Sequence, residues 1–248
     1  NTWATNFTIN DPQSGAAIIG NHAASALVDN VTIYTTGDSV EGIYLTGNSS
    51  VTAGENTNIT SLGARAYGAY VQDSSSLIFN SSNNIKTAGL EAYGVYAVDS
   101  SSVTIGNKSN IETLGAEVHG IFADDNSWVT LDGGSTVSTA GLDAHKVTID
   151  NGSEIITKGG EAYGILAEDS SKVVVDHEST IETAGADSQG VYADNSSTVR
   201  IDNGSRVTTA GILSDGLQAM ASSQVIVDNN SRINTLGADA VGIWLNDS

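Results

Sequence analysis

A glycine that returns every 26 residues limits the fold of this chain more than any other feature. It closes a Thr/Ser-x-Gly step at Gly37, Gly63, Gly89, Gly115 and Gly141, and again at Gly159, Gly185, Gly211 and Gly237. Every interval is 26 residues except the 18 between Gly141 and Gly159. A fixed period in the twenties marks a solenoid, in which each repeat is one turn of chain stacked on the last. Function must then be sought in columns of equivalent residues as much as in single side chains.

The repeat from Gly89 to Gly115 reads as one rung. Gly94-Val95-Tyr96-Ala97 holds a short strand, here called strand A, and Asp99-Ser100-Ser101 is a turn. Val103-Thr104-Ile105 is strand B, Gly106-Asn107-Lys108-Ser109 the next turn, and Ile111-Glu112-Thr113 strand C. Short alternating strands between Gly/Asn/Asp/Ser turns are β structure. No segment carries a 3.6-residue apolar period long enough for a helix.

Alternation assigns the faces. In strand A the first position is Ile43, Ala69, Val95, Ile121, Ile165, Val191, Leu217 and Ile243, and the third is Leu45, Val71, Ala97, Ala123, Ala167, Ala193, Ala219 and Leu245. Both columns point inward. Strand B adds pairs such as Val103/Ile105 and Val173/Val175, and strand C adds Ile59, Ile85, Ile111, Val137, Ile155, Ile181, Val207 and Ile233. Burying these columns drives folding, because one rung cannot cover its own apolar face. The expectation is an all-β chain: a right-handed parallel β-helix of about nine three-strand rungs, roughly 40–45 Å long. A left-handed helix would show hexapeptide repeats, which are absent.

Residues 1–36 are expected to form an irregular N-terminal capping rung, and 37–248 regular repeats that stop in the middle of one. The chain begins Asn1-Thr2-Trp3 with no initiator Met or signal peptide, so it reads as a piece of something longer. The short interval is a separate signal. His145 runs directly into Lys146-Val147-Thr148-Ile149, a strand B, and the eight residues that would match Gly120–Ser127 are absent. A central rung without one wall would open the core. A missing strand between 145 and 146, present in the natural chain, is therefore expected.

Columns of aromatic and acidic residues could carry chemistry. The outward position of strand A reads Tyr44, Tyr70, Tyr96, Phe122, Leu166, Tyr192, Gln218 and Trp244, with six aromatic rings on a face where solubility needs none. Such a ladder suits stacking on sugars or packing against a partner protein. The competing reading is that like rings stack between rungs and stabilise the sheet. Acids line both sides of the ladder. The corner two residues after the repeat glycine holds Glu91, Glu117, Asp143, Glu161, Asp187 and Asp239, and the turn after strand A holds Asp73, Asp99, Asp125 and Asp169. The turn after strand B adds Asp132, Asp150, Asp176, Asp202 and Asp228. Like charges one rung apart repel unless salt, cations or a basic partner screen them. Asp is equally an ordinary turn residue, and no calcium-binding nonapeptide or EF-hand loop occurs. The candidate ligand-binding residues are Tyr44, Tyr70, Tyr96, Phe122, Tyr192 and Trp244, with Glu91, Glu117, Asp99 and Asp125.

Catalytic signals are thin. His119 and His145 share a column beside Glu117 and Asp143, a combination that could hold a metal. That column also contains Tyr67, Tyr93 and Tyr163, so each imidazole reads as one more ring. Neither a metal nor a cofactor is expected. Gly37-Asp38-Ser39-Val40 resembles an esterase nucleophile block, but Gly37 is the repeat glycine and no Asp-x-x-His follows. With so many acids in columns, any carboxylate pair for glycoside cleavage can be found, and finding one decides nothing.

Composition removes several partners. A net charge of −20, from 29 acids against 9 bases, repels nucleic acid and anionic membranes. No apolar run of about 18 residues is present, so no membrane insertion by this segment is expected. With no cysteine there is no disulfide scaffold.

The repeat style carries a resemblance. Gly190-Val191-Tyr192-Ala193-Asp194-Asn195-Ser196-Ser197, followed by Val199-Arg200-Ile201-Asp202-Asn203-Gly204-Ser205 and Thr209-Ala210-Gly211, resembles the passenger domains of Gram-negative autotransporters of the pertactin-like and AIDA-like kind. The likeness runs from about Gly37 to the end. It implies display at the bacterial surface or secretion, and a non-enzymatic adhesin that binds a host extracellular-matrix protein, a glycan or another copy of itself, leading to aggregation or biofilm. The serine motif of the family's protease subgroup is absent. The alternatives are a carbohydrate-active β-helix, either a polysaccharide lyase or a tailspike-like hydrolase, and a passive stalk. Nine basic residues make a lyase's Arg/Lys cluster hard to assemble.

Overall fold

The computed structural model describes residues 2–10, 14–115, 118–123, 127–139, 143–144, 146–149, 154–157, 163–167 and 172–246. Its strands, two to five residues long, wind into three parallel sheets of ten strands each, with no helix among the described residues. The architecture is the expected right-handed parallel β-helix. The A wall stacks Ile18–Gly20, Ile43–Leu45, Ala69–Val71, Val95–Ala97, Ile121–Ala123, Asp143–Ala144, Ile165–Ala167, Val191–Ala193, Leu217–Met220 and Ile243–Asn246. The B wall runs from Thr2–Thr5 to Gln224–Val227 and the C wall from Thr8–Asn10 to Arg232–Thr235. Ten rungs rather than nine result, and the extra one lies in the first 36 residues.

Those residues hold five strands in regular ladders. Ala26 pairs with Thr2 on one side and Val51 on the other, and Ile33 pairs with Ile9 and Ile59. Offsets of 24 and 25 residues replace 26 at this end. A reading tied to one period sees irregularity there, while the strands themselves are in step with the rest.

The short interval is bridged in the backbone. Asp143 pairs with Phe122 below and Leu166 above, and Ala144 with Ala123. A two-residue strand drawn from the repeat's own corner therefore occupies the A wall where a missing strand left a gap in the sequence reading. His145 lies outside the described residues.

Inward columns are buried as alternation requires through the interior rungs, whereas Ile243 and Leu245, in the last described rung, are exposed. In strand A both Val95 and Ala97 are inaccessible to solvent, with Tyr96 half-buried between them. Among the described residues the largest fully buried side chain is Phe79, which faces the core from strand B. Strand C places one apolar residue and one hydroxyl inside: Ile59 with Ser61, Ile85 with Thr87, Ile181 with Thr183, Val207 with Thr209. The hydroxyl is that of the Thr/Ser-x-Gly step. Thr87 donates to the Ala92 carbonyl at 2.7 Å, Thr183 to Ser188 at 2.8 Å and Thr209 to Ser214 at 2.6 Å. Each fastens the corner between the C and A walls, and each turns a buried polar cost into a satisfied bond.

Serines do similar work at the other turns. The Ser75 amide donates to Ser101 Oγ at 3.2 Å and the Ser101 amide to Ser127 Oγ at 2.9 Å, just before strand B. Before strand C, the Ser109 amide donates to Ser135 Oγ at 3.1 Å. Turns bend through consecutive left-handed residues, as at Asp73/Ser74 (φ 55° and 57°) and Asn229/Asn230 (φ 47° and 64°). Asp and Asn tolerate that conformation best among residues with side chains.

Glycine is required at the corner by close approach. A Cβ on Gly94 would stand 2.4 Å from Ile111 Cγ2 and 2.5 Å from the Gly120 carbonyl oxygen. The repeat glycines are as tight: a Cβ on Gly89 would lie 1.8 Å from the Gly63 carbonyl oxygen. Replacing Gly94 by Ala is expected to lower stability by about 1–3 kcal/mol, the usual scale of overpacking, read as a lower denaturant midpoint; an unchanged midpoint would show that the corner yields freely. The longer natural segment after His145 remains a proposal. A peptide map of the native protein is expected to show eight further residues between His145 and Lys146, and a peptide that runs directly from His145 into Lys146 would end it.

Candidate aromatic face

The outward rings of strand A meet a second column that lies three residues earlier in each rung. Tyr44, Tyr70, Tyr96 and Phe122 rise along the A wall in register. Tyr67, Tyr93 and His119 rise beside them on the corner, each just ahead of the glycine that enters strand A. Tyr70 and Tyr96 stack with centroids 4.9 Å apart and planes 5° from parallel. Tyr67 and Tyr93 stack at 5.3 Å and 20°. Between the columns, Tyr67 meets Tyr70 edge-on at 5.6 Å and Tyr93 meets Tyr96 edge-on at 5.9 Å. Phe122 closes the upper end, stacked on Tyr93 at 5.5 Å and edge-on to Tyr96 at 5.0 Å. Seven rings thus form one continuous half-buried sheet over four rungs. Both stacked and edge-on pairs are favourable geometries for a ring quadrupole, worth about 0.5–1.5 kcal/mol each.

The sheet's electrostatics favour neutral or positive neighbours. Burial raises the Tyr70 phenol to about 12, and the surrounding Tyr96, Tyr44 and Tyr67 and the Asp99 carboxylate add to the rise. Tyr67 is also raised, first by burial and then by Glu41 and Glu91, with Arg65 opposing. Glu41 is itself raised by burial, a carboxyl partly withdrawn from water. At one margin Gln72 Nε2 donates to the Tyr44 hydroxyl at 2.8 Å, and Thr46 donates to the Asp73 carboxylate. His119 is lowered to about 4 by burial, with no partner at Nδ1. It is a neutral ring at physiological pH, packed 4.9 Å from Tyr93 and 5.4 Å from Phe122.

The expected site residues divide accordingly. Tyr44, Tyr70, Tyr96 and Phe122 come together. Glu91 flanks them from the corner in a left-handed conformation (φ 53°), and Asp99 from the turn after strand A. Tyr192 belongs to a smaller pair higher on the rod, stacked on Tyr163 at 5.2 Å. Trp244, in the last rung, pairs in register with Gln218 and is 48% exposed. Glu117 and Asp125 lie outside the described residues. Sequence reasoning left Tyr67 and Tyr93 off the site, though their spacing of three residues before each outward ring would have found them.

The acid column after strand B has a different explanation. Asn203 Nδ2 donates to Asp176 at 2.6 Å, and Asn229 Nδ2 donates to Asp202 at 2.6 Å. Amides from one rung thereby bridge to carboxylates of the rung below. Arg200 also holds Asp202, the main reason this carboxyl sits below the usual range. Among the described residues, no group of three or more His, Asp or Glu side chains is arranged to hold a metal ion.

His119 should make stability pH-dependent. Its folded pKa is depressed below 6.5, so the unfolded chain takes up a proton first. The stability linked to it is complete above about 6.5 and is lost as pH falls towards 4, by up to about 3 kcal/mol. The variant His119→Phe is expected to unfold less steeply with acid across that window, measured by denaturant midpoints at pH 7, 5.5 and 4. Identical pH slopes would remove His119 as the cause.

No protein-family model matches the chain, and no curated protein sequence does so. A solved structure is similar: a chain in the cryo-EM structure of the Vag8–C1 inhibitor complex, with 18% identity and a TM-score of 0.73. The match covers 99% of this chain and 72% of that one. At that identity the likeness speaks for the fold alone, a parallel β-helix.

Proposed function

We propose that this chain is a non-enzymatic binding segment of a bacterial surface or secreted passenger protein, which engages its partner along the side of the rod. The observation that carries this reading is the seven-ring sheet, half-buried and facing solvent on a wall whose core positions are already satisfied. Stacking alone explains why rings persist from rung to rung. It does not require two adjoining columns of them, bordered on both sides by acids. Large amphipathic rings clustered at a surface are the residues that dominate protein recognition. The fold supports the same reading, since a similar β-helix occurs in a complex with a protein, C1 inhibitor. Partner classes are a host matrix protein, a glycan or a second copy of the chain.

The test is an array of matrix proteins and glycans probed with the wild type and a Tyr70/Tyr96/Phe122→Ala variant, alongside a cell-aggregation assay. The variant is expected to lose at least about tenfold in affinity, the scale of removing central aromatic anchors. Equal binding by both proteins would exclude this face, and turnover of a polysaccharide would overturn the non-enzymatic reading.

A further inference from the structure

Resting on that reading, we infer that the aromatic face binds a cationic protein segment, one presenting Lys and Arg side chains, rather than a sugar or another copy of this chain. The geometry decides against sugars first. Sugar rings bind aromatic residues by lying on an open π face. Here the faces are used internally: Tyr70 and Tyr96 cover one another, as do Tyr67 and Tyr93, and Phe122 lies over Tyr93. The rings therefore meet a ligand with their edges and, at the tyrosines, with phenol oxygens, and those oxygens accept hydrogen bonds from ammonium and guanidinium groups.

Charge points the same way. Glu41 and Glu91 stand on the corner side of the rings, and Asp73 and Asp99 on the turn side. Arg65 is the one base acting on Tyr67. A cationic segment laid along the A wall would place its charges over both acid rows and its methylene stems over the ring edges, as long basic side chains do. A second copy would bring its own share of −20 to this surface, and like-charge contact costs affinity. An acidic wall also steers a basic partner from a distance, which raises the association rate at low salt.

The test uses octa-arginine and octa-lysine as probes, with octa-glutamate and a neutral oligosaccharide array beside them, on the whole 248-residue chain. Two triple variants remove the same charge from different places. Glu91→Gln/Asp99→Asn/Asp73→Asn neutralises the borders of the face, and Glu178→Gln/Glu182→Gln/Asp228→Asn neutralises exposed acids far along the rod and away from that wall. Binding of the basic peptides is expected to weaken about tenfold for the first variant and less than about twofold for the second. Binding by the wild type should also weaken as salt rises, because the screening length shortens. Equal losses in the two variants would show diffuse attraction to an acidic rod and overturn the inference. Glycan binding abolished by Tyr70/Tyr96/Phe122→Ala, with peptide binding unaffected, would also overturn it while leaving the face as a binding site. Insensitivity of every ligand to both the aromatic and the border variants would defeat the face itself.

Discussion

Each residue in this fold must be compatible with its own equivalents one turn above and below. Parallel ladders place position on position at strand spacing through ten rungs, so a side chain's nearest neighbours are its counterparts. Apolar columns satisfy this by burial, and threonines and serines by bonds to the corner and turn backbone. Where the chain turns from the C wall to the A wall, carbonyl groups approach so closely that only glycine fits. The 26-residue period is the sequence record of that approach.

The same rule accounts for features that look costly in isolation. A column of like charges is unfavourable, yet Asp176 and Asp202 are tolerable because amides of Asn203 and Asn229 bridge to them from the next rung. A row of outward tyrosines would waste apolar surface if each stood alone. Stacked on its neighbours and edged by a second column, each ring loses much of that exposure. What is left uncovered is a band of edges and hydroxyls between acid borders, and this band is the surface that a partner would meet.

Much of this was legible in the sequence, because alternation and period report directly on strand faces and stacking. The inward columns of strand A and the outward ring ladder follow from residue order alone. The first 36 residues were not legible, since their repeats are 24 and 25 long and a fixed beat cannot register them. Nor was the strand at Asp143–Ala144, because pairing there depends on what the walls above and below leave vacant. The Thr/Ser of the repeat step shows no role of its own in the order of residues. Its burial and its bond to the corner emerge only once the third dimension brings residue 87 to residue 92. Tyr67 and Tyr93 were visible as a column, but contact with the neighbouring column needed the geometry of the corner.

The hydrogen bonds between rungs all run along the long axis of the rod, in three ladders around its circumference. Tension applied evenly along that axis is shared among the three at every rung boundary. Tension applied at one terminal strand is carried by a single ladder, which can open bond by bond as a seam does. The direction of pull therefore sets mechanical strength, and a load taken through the side wall spreads across rungs that a load at the tip would peel away singly.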